Sequence, residues 1–443
     1  MQIKDLQHKN RLIVGLGMTG LSVARFLSAQ NLPFKVMDSR YTQLGMELKG
    51  KQELEAISAD SLLVWDSERI KTFDELVVSP GISTAIKEIA DAEELGVSIV
   101  GDIELFAQVA EVPVIAITGS NGKSTVTDLL GVLINAAGKK ALTGGNIGLP
   151  ALDLVTMDAD CVVLELSSFQ LETTNSLKPV AATILNLSED HLDRYDSYQD
   201  YIYAKQRIYH GAQHIVVNAD DKETWVFAEK VTTFGKATAD WQLYPEQGVI
   251  SYRDETIISI SDLTLQGMHN ALNVAAALAL MSAAKIEINS SVIEAAKTYS
   301  GLSHRCQLVA VKQGVTYIND SKATNVGATV AAIESFSQEF ATNIILISGG
   351  DSKEADLEPL KEVVNNKVKH NIIFGQDKEK IYQLVEQKDK AIIVNDLAQA
   401  VTEASNKAQQ GDLVLLSPAC ASLDMFSNYM QRGEQFARLV EAL

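Results

Sequence analysis

The chain has 443 residues, 46% of them hydrophobic and 21% charged, a length that predicts two or three domains and a composition typical of soluble globular proteins. Its 57 acidic residues outnumber its 38 lysines and arginines, and the net charge of −19 argues against nucleic acid or an anionic membrane as a partner. Three cysteines without paired spacing argue against disulfides and a structural zinc site. The N-terminus lacks the apolar segment of a signal peptide, so we expect a cytoplasmic protein without membrane insertion.

The first hundred residues predict a Rossmann-like α/β unit. A strand at 12–14 leads into Gly15-Leu-Gly-Met-Thr-Gly20 and a helix, a second strand ends at Asp38, and a third runs into Gly81. A glycine turn before a helix can bind a diphosphate, and an acid about 20 residues further on can bind ribose hydroxyls. From these residues alone an NAD-dependent dehydrogenase remains open.

A phosphate-binding pattern follows. The apolar strand Val114–Ile117 is followed by glycines and by a segment with helical spacing, an arrangement in which backbone N–H groups and the helix dipole favour an anion. Lys123 would reach the outer phosphates, and the Ser124 hydroxyl would bind Mg²⁺. The spacing is Gly-x-x-Gly-Lys-Ser, shorter than usual, and an ordinary turn with a surface lysine is the alternative. We interpret it as an ATP site formed by Gly119, Ser120, Asn121, Gly122, Lys123, Ser124 and Thr125.

The next strands place further polar residues at their ends. Asn146 lies between glycines after a strand, and Glu165 ends the apolar run that begins at Cys161. A carboxylate at the C-terminal end of such a strand points into the ligand crevice. His191 follows another strand in an acidic loop, where it is either a surface histidine or a metal or phosphate ligand. Lys205 lies in a segment with helical periodicity, in which most lysines are solvated.

A third α/β unit begins near residue 306. Its strands end in polar or glycine loops, namely Asn319–Asn325, Gly349–Lys353, Gly375–Asp377 and Ser417–Asp424. The alternation of strands and helices predicts parallel sheets with βαβ crossovers throughout. Lys322 and Lys353, taken singly, are equally well explained as surface lysines. Cys420 is interpreted as a small buried residue and not as a nucleophile, because its motif contains no histidine.

Six motifs occur in a defined order along the chain: Thr118-Gly-Ser-Asn-Gly-Lys-Ser-Thr125, Glu165-Leu-Ser-Ser168, Asp190-His191, Gly267-Met-His-Asn270, His304-Arg305 and Asn319-Asp-Ser-Lys-Ala-Thr-Asn325. This set resembles that of the Mur ligases, the ATP-dependent amino-acid ligases of peptidoglycan precursor synthesis, over essentially the whole chain. The resemblance implies three domains: a Rossmann-like unit at 1–100, a central P-loop ATPase-type α/β domain at 101–301 and a Rossmann-like α/β domain at 302–443. It also implies a role in cell shape and cell division.

Within the family, the first glycine turn and the loops Gly349–Lys353 and Ser417–Asp424 resemble those of the branch that adds D-glutamate to UDP-N-acetylmuramoyl-L-alanine. The resemblance therefore implies that the first unit binds the UDP part of this substrate and not NAD. The residues it assigns to this substrate are Met18, Thr19, Asp38, Ser39, Arg40, Gly81, Asn146 and Gln170. A monomer with small-molecule substrates is expected.

The resemblance also implies the reaction and its groups. The alanyl carboxylate would take the γ-phosphoryl group of ATP to give an acyl phosphate, which the amine of D-glutamate attacks; positive charge is the main catalytic demand. Two Mg²⁺ ions are implied, with Ser124 and Glu165 on one, and His191 and a carbamylated Lys205 on the other. Lys123, His191 and Lys205 would be the catalytic residues.

Two further residue sets come from the resemblance. Adenine and ribose would contact Asn270, Asn273, Arg305 and Asp320 across a cleft between the second and third domains. The D-glutamate pocket would consist of Lys322, Thr324, Lys353, Ser422, Leu423 and Tyr429. At the position of Tyr429 the family more commonly has phenylalanine. His304 is interpreted as a positioning group.

Two rival functions belong to other classes. An NAD-dependent dehydrogenase would explain the segment from Gly15 to Asp38 but leaves Lys123 and Glu165 without a role. A nucleotide switch or binding ATPase would explain the phosphate loop but not the polar loops of the third unit. Tight NADH binding without ATP dependence would favour the first, and ATP turnover indifferent to amino acids would favour the second.

Overall fold

The computed structural model describes residues 9–41, 50–189, 194–265, 267–353 and 355–443. Its internal contacts divide the chain into two compact units. One consists of Met1–Trp241 with Ala276–Val292, and the other of Gln242–Ala275 with Ile293–Leu443. Across the described ranges we find no helix with the length and apolar character needed to cross a membrane.

The first unit begins with a five-stranded parallel sheet of order β3-β2-β1-β4-β5. Its strands are β1 (Arg11–Val14), β2 (Phe34–Met37), β3 (Leu62–Leu63), β4 (Glu75–Val78) and β5 (Ser98–Val100), and its helices are α1 (Met18–Ala29), α2 (Lys51–Ile57), α3 (Ser67–Ile70), α4 (Lys87–Glu94) and α5 (Asp102–Val109). The strand order reverses at β1, and in open α/β sheets ligands bind outside the carboxyl ends of the strands at such a point. The glycine turn after β1 lies there.

The second sheet of this unit contains the phosphate loop. Its elements are β6 (Val114–Thr118), α6 (Lys123–Ala136), β7 (Ala141–Gly145), α7 (Ala151–Leu154), β8 (Cys161–Glu165), α8 (Ser168–Glu172), β9 (Ala181–Ile184), α9 (Tyr198–Gln206), β10 (Ile215–Asn218) and β11 (Val231–Gly235). These six strands pair in parallel in the order β11-β10-β9-β6-β8-β7. Since β6 lies between β8 and β9, the loops that follow these three strands meet at one edge of the sheet.

The two sheets of the first unit share one hydrophobic core. This core runs from Ile13 in β1 to Val217 in β10. A polar contact joins the layers as well, because Asp153 in α7 accepts hydrogen bonds from the Ser22 hydroxyl at 2.9 Å and from Arg25 Nη2 at 2.6 Å, both in α1. The loops after the strands of the first sheet and the glycine loop after β6 therefore belong to one packed body.

The second unit contains the remaining elements, apart from the parts of β12, α10 and α11 that fall within Trp241 and Ala276–Val292 of the first unit. They are β12 (Trp241–Tyr244), β13 (Val249–Tyr252), β14 (Glu255–Ser259), α10 (Met268–Ala283), α11 (Ser290–Thr298), β15 (Gln307–Lys312), β16 (Val315–Asn319), α12 (Val326–Phe340), β17 (Ile344–Gly349), α13 (Pro359–Lys367), β18 (Val368–Phe374), α14 (Lys378–Leu384), β19 (Ala391–Ile393), α15 (Leu397–Lys407), β20 (Leu413–Leu416) and α16 (Tyr429–Glu441). Its large sheet has the order β15-β16-β20-β17-β18-β19. Alternate strand residues face two different cores, with Leu346 in one and Ile345 in the other, so both faces of the sheet are covered.

The prediction of parallel pairing throughout is wrong, as two strand pairs of the described residues show. Strands β13 and β14 pair antiparallel, and so do β15 and β16. In each pair two residues join the strands, Arg253-Asp254 and Gln313-Gly314, and all four have positive φ. Such two-residue turns connect antiparallel neighbours, whereas a parallel pair needs a crossover connection. The other strand pairs of the large sheet are parallel, as predicted.

Candidate active site

The phosphate loop has the backbone geometry that the sequence predicts. Gly119 and Gly122 have φ of +150° and +82°, in the region that favours glycine. Gly122 precedes the first turn of α6 and has no side chain to cap it, which leaves the first N–H groups of the helix for an anion. Asn186, after β9, holds the loop, because its carbonyl accepts from the Ser120 N–H at 2.9 Å and its Oδ1 accepts from the Asn121 N–H at 2.8 Å.

Two lysines donate to one carbonyl of this loop. Lys123 Nζ lies 2.7 Å from the Gly119 carbonyl oxygen, and Lys205 Nζ lies 2.9 Å from the same atom. Lys205 is 2% exposed. Its Nζ also lies 4.8 Å from the ring centroid of Tyr201, whose hydroxyl is 2.9 Å from Ser120 Oγ. The alternative of a solvated Lys205 is therefore wrong, since α9 places its amine in a buried position beside the loop.

Glu165 lies at the same sheet edge. Its Oε2 accepts from the Ser124 hydroxyl at 2.5 Å, and its Oε1 accepts from Asn146 Nδ2 at 2.7 Å. The carboxylate is 2% exposed and Ser124 is equally buried. The strand-end rule thus correctly places Glu165 beside the phosphate loop, and Asn146 is brought to the same point by the loop after β7.

The donor set suits a hard cation. A carboxylate and a hydroxyl in contact at the end of a phosphate loop are oxygen ligands of the kind Mg²⁺ prefers. Within the described ranges no three His, Cys, Asp or Glu side chains cluster as a metal site would require. His191, the predicted ligand of a second magnesium ion, lies outside the described residues, as does Asp190. Ser124 and Glu165 are therefore the side chains that support a magnesium proposal.

In the first sheet, the acid at the end of β2 is held by its own loop. Asp38 accepts from the Leu16 N–H at 2.8 Å and from Arg40 Nε and Nη2 at 2.8 and 2.7 Å. The hydrogen bonds from the Arg40 guanidinium, and after them those from the backbone N–H groups, lower the pKa of Asp38 to about 2. Both of its oxygens are occupied, so Asp38 ties β2 to the glycine turn after β1. A ribose contact through Asp38 would require Arg40 to move.

Other residues predicted for the UDP-linked substrate surround this edge of the first sheet. Met18 begins α1 and is 68% exposed, and Ser39, Arg40 and Gly81 are exposed too. Gly20 is required for packing, since a Cβ there would lie 2.0 Å from the Gly15 carbonyl oxygen. Thr19 is half-buried in the first turn of α1.

Gln170, which the resemblance assigns to the UDP-linked substrate, is buried and contacts other residues of the protein. It is 3% exposed, forms a capping box with Ser167 at the start of α8, and directs its Nε2 toward Asp102 Oδ2 at 3.5 Å. Burial raises the pKa of Asp102 to about 6. Gln170 therefore joins the segment after β5 to the second sheet, a structural contact that the sequence did not reveal.

Arg194 connects the two sheets. Its guanidinium donates to the carbonyl oxygens of Pro80 and Ile82, at 2.9 Å each, and lies 3.9 Å from the ring centroid of Phe169. The loop that contains Gly81 is thus fixed by a residue of the segment that follows β9. Sequence reasoning missed this role, because the partners are more than 100 residues away from Arg194.

The residues predicted for adenine and ribose lie in the second unit. Asn273 Nδ2 donates to Asn270 Oδ1 at 3.1 Å in the first turns of α10. Arg305 is half-buried after Gly301. Asp320 is buried, accepts from Ser417 Oγ at 2.8 Å and from the Cys306 N–H at 3.2 Å, and has its pKa raised to about 6 by burial. These contacts make Asp320 a connection between loops in this structure.

The residues predicted for the amino-acid pocket lie at the carboxyl ends of β16, β17 and β20. Lys322 Nζ lies 4.3 Å from the ring centroid of Tyr429, a cation–π contact. His304, whose pKa is lowered by burial, makes an edge contact with the same ring and lies 3.0 Å from Asn319 Nδ2. Thr324 is half-buried next to Lys322. The aromatic ring of Tyr429 therefore contacts Lys322, one of the two lysines predicted for the amino-acid pocket.

The other two loops are joined by backbone bonds. Asp351 and Ala421 exchange N–H···O bonds of 3.0 and 2.8 Å, which sets Lys353 and Ser422 on neighbouring loops. Lys353 is exposed and has φ of +50°, while Ser422 is 3% exposed and Leu423 is 63% exposed. The structure thus brings together the two loops that the resemblance assigns to the dicarboxylate.

Two buried charges near this pocket were missed by sequence reasoning. Arg432 in α16 is fully buried and donates to the Ser321 hydroxyl at 3.0 Å, the Ser321 carbonyl at 2.9 Å and the Cys420 carbonyl at 3.2 Å; burial lowers its pKa to about 10. Asp377 accepts from both the N–H and the hydroxyl of Ser352, at 2.7 Å each. Arg432 lies in no motif. Asp377 ends the predicted polar loop Gly375–Asp377, but its partner Ser352 is 25 residues away, so the sequence did not reveal the contact.

Comparisons with known proteins match the chain in three segments. Family models described as Mur ligase MurD-like N-terminal domain, Mur ligase middle domain, and Mur ligase glutamate ligase domain match residues 9–101, 117–281 and 304–420. Two curated relatives are named UDP-N-acetylmuramoylalanine--D-glutamate ligase. The one from Pseudoalteromonas translucida is 44% identical over 99% of both chains, and the one from Marinobacter nauticus is 47% identical over 98% of both. A crystal structure of MurF ligase from Thermotoga maritima in complex with ADP has a TM-score of 0.58 at 16% identity, covering 100% of this chain and 97% of that one.

Proposed function

We propose, from the premise that this chain belongs to the Mur ligase family, that it is the ATP-dependent ligase that joins D-glutamate to UDP-N-acetylmuramoyl-L-alanine. Near-complete coverage by relatives named for this reaction is the observation that carries the proposal. The resemblance inferred from the six motifs is confirmed at the level of family and fold. A dehydrogenase is disfavoured, because the relatives that cover nearly the whole chain are named for the ligase reaction.

The reaction requires an activated carboxylate, since a carboxylate and an amine do not condense spontaneously in water. We infer that the alanyl carboxylate takes the γ-phosphoryl group of ATP with release of ADP, and that the amine of D-glutamate then displaces phosphate and forms the amide. Lys123 and the loop N–H groups would hold the β- and γ-phosphates, and would offset the negative charge that gathers when two anions approach. Asn270, Asn273, Arg305 and Asp320 would bind adenine and ribose.

Magnesium fits this arrangement. Ser124 and Glu165 would hold one ion, and His191 with a carbamate on Lys205 would hold a second. Bound Mg²⁺ supplies charge neutralisation on the phosphate oxygens. Asn146 orients the Glu165 carboxylate through its 2.7 Å bond, which leaves the other oxygen directed at Ser124.

The remaining assignments are also proposals. Met18, Thr19, Asp38, Ser39, Arg40, Gly81, Asn146 and Gln170 would contact the UDP-linked substrate. Lys322, Thr324, Lys353, Ser422, Leu423 and Tyr429 would contact D-glutamate. We place the protein in the cytoplasm as a monomer, with three domains bounded near residues 100 and 301.

Phosphate release from ATP should require both substrates together. Omission of either UDP-N-acetylmuramoyl-L-alanine or D-glutamate is expected to reduce release to background, because the phosphoryl acceptor is on one and the attacking amine on the other. The measurement is phosphate release with each component omitted in turn and with L-glutamate, L-alanine or L-lysine in place of D-glutamate. Equal turnover with any of the three would refute the substrate assignment, and ATP turnover without an amino acid would favour a nucleotide switch.

Lys353→Ala should raise the KM for D-glutamate far more than the KM for ATP. A charge-assisted contact with a carboxylate contributes about 1.5–3 kcal/mol, which corresponds to roughly tenfold or more in KM. Steady-state kinetics with each substrate varied would measure this. The matched control is Lys361→Ala, a lysine of the same unit whose side chain is 45% exposed and paired with Glu358. An unchanged KM for D-glutamate would place the amino-acid pocket elsewhere.

A further inference from the structure

The loop that carries Lys353 has an unusual path. It leaves β17 through Gly349 and Gly350, whose φ values are +125° and +133°, and Lys353 itself has φ of +50°. A non-glycine residue rarely adopts this left-handed region unless surrounding contacts hold it there. The position of the lysine amine therefore depends on whatever fixes the residues just before it.

The residue before Lys353 is anchored from the neighbouring strand. Ser352 is 5% exposed, and both its N–H and its hydroxyl donate to Asp377 Oδ2 at 2.7 Å. Asp377 lies in the loop after β18 and donates its own N–H to the Gly350 carbonyl at 2.9 Å. One residue thus holds the Lys353 loop at two points.

The carboxylate of Asp377 is stabilised as the anion. The two bonds from Ser352 and an ion pair with Lys380 at 2.9 Å lower its pKa to about 2. It is fully ionised at neutral pH and accepts both Ser352 bonds with one oxygen, while the other oxygen faces Lys380. An amide at this position could keep the Ser352 bonds through its own oxygen, whereas a methyl group could keep none.

We propose that Asp377 is a positioning residue for amino-acid selection: through Ser352 it fixes the Lys353 loop so that the lysine amine meets a carboxylate of the incoming dicarboxylic amino acid. The inference rests on the proposed function, because it takes Lys353 as part of the D-glutamate pocket. Asp377 itself contacts no substrate. Its role is to hold the strained conformation at Lys353, without which the amine would be distributed over many positions.

The test compares steady-state kinetics of the full-length wild type, Asp377→Ala and Asp377→Asn. Asp377→Ala should raise the KM for D-glutamate by about 10-fold to 100-fold, the range expected for losing or misplacing one charge-assisted contact. The KM values for ATP and for UDP-N-acetylmuramoyl-L-alanine should stay within about twofold, and Asp377→Asn should restore most of the affinity for D-glutamate. A merely structural role would instead lower kcat and thermal stability without this split.

Two controls and one further variant complete the design. Lys380→Met removes the partner on the solvent side, and Asp396→Asn changes an aspartate that caps α15 in the same unit; both should leave the KM for D-glutamate unchanged. Ser352→Ala removes only the hydroxyl bond and should give a smaller rise of about threefold to tenfold, so the proposal stays testable if Asp377→Ala does not fold. An unchanged KM for D-glutamate in Asp377→Ala or Ser352→Ala would overturn the inference. A wild type that needs no D-glutamate would overturn the proposed function instead.

Discussion

Lys123→Ala is expected to lower turnover by about 10²-fold or more, the loss typical of removing a preorganised positive charge at the transition state. Lys123 Nζ lies 2.7 and 2.9 Å from the Gly119 and Ser120 carbonyl oxygens, so the amine is already at the loop that would hold the phosphates. The loss should fall on kcat, because the charge matters most when the alanyl carboxylate approaches the γ-phosphate. Binding of the UDP-linked substrate should survive, since its proposed residues lie mainly on the first sheet.

The measurement is kcat from phosphate release, together with calorimetric binding of the UDP-linked substrate to the variant. Lys139→Ala is the matched control, because Lys139 is an exposed lysine just beyond the other end of α6. Near-normal turnover in Lys123→Ala would show that the phosphate-loop interpretation is wrong. Loss of binding of the UDP-linked substrate would show that the variant disturbs more than the loop.

Lys205→Ala should be folded and nearly inactive. The 2% exposure of Lys205 and its 2.9 Å contact with Gly119 place its amine beside the loop, where a carbamate formed with CO₂ would present a carboxylate. Only the neutral amine forms a carbamate, and burial disfavours the charged form of an amine. The reaction joins the amine nitrogen to the carbon of CO₂ and releases one proton.

Two further results separate a carboxylate from a cation at this position. Acetate or formate in excess should restore part of the activity of Lys205→Ala, because a small carboxylate can occupy the space that the side chain vacates. Lys205→Arg should be as inactive as the alanine variant, since it keeps the charge but forms no carbamate. Lys222→Ala, an exposed lysine after β10, serves as the control. Full activity in Lys205→Arg would mean that only positive charge is needed there.

Local features of the site followed from the sequence, because they depend on residues close together in the chain. The strand, turn and helix around Lys123 lie at Val114–Thr118 and Lys123–Ala136, as the glycines and the helical spacing predict. Glu165 followed from a general rule about the ends of parallel strands. The helix predicted at 270–283 begins two residues earlier, at Met268, and ends at Ala283 as predicted.

The features that were missed depend on contacts between distant segments. Ser352 and Asp377 are 25 residues apart, and Arg432 and Ser321 are 111 residues apart, so no local pattern relates them. Asp38 shows the opposite problem. Its spacing from the glycine turn predicts a substrate ligand, which stays a prediction, but did not reveal that Arg40, only two residues away, donates to the carboxylate.

The glycines after β17 also limit how this protein can change. A Cβ at Gly349 would lie 1.8 Å from the Phe374 carbonyl oxygen, and one at Gly350 would lie 2.1 Å from the Ala421 carbonyl oxygen. The main chain there has no room for a larger residue without moving its neighbours. Evolution, or a laboratory library, that seeks a ligase for another amino acid would therefore have to keep this backbone and exchange side chains around it, at Lys353 on the same loop and at Leu423 on the loop after β20.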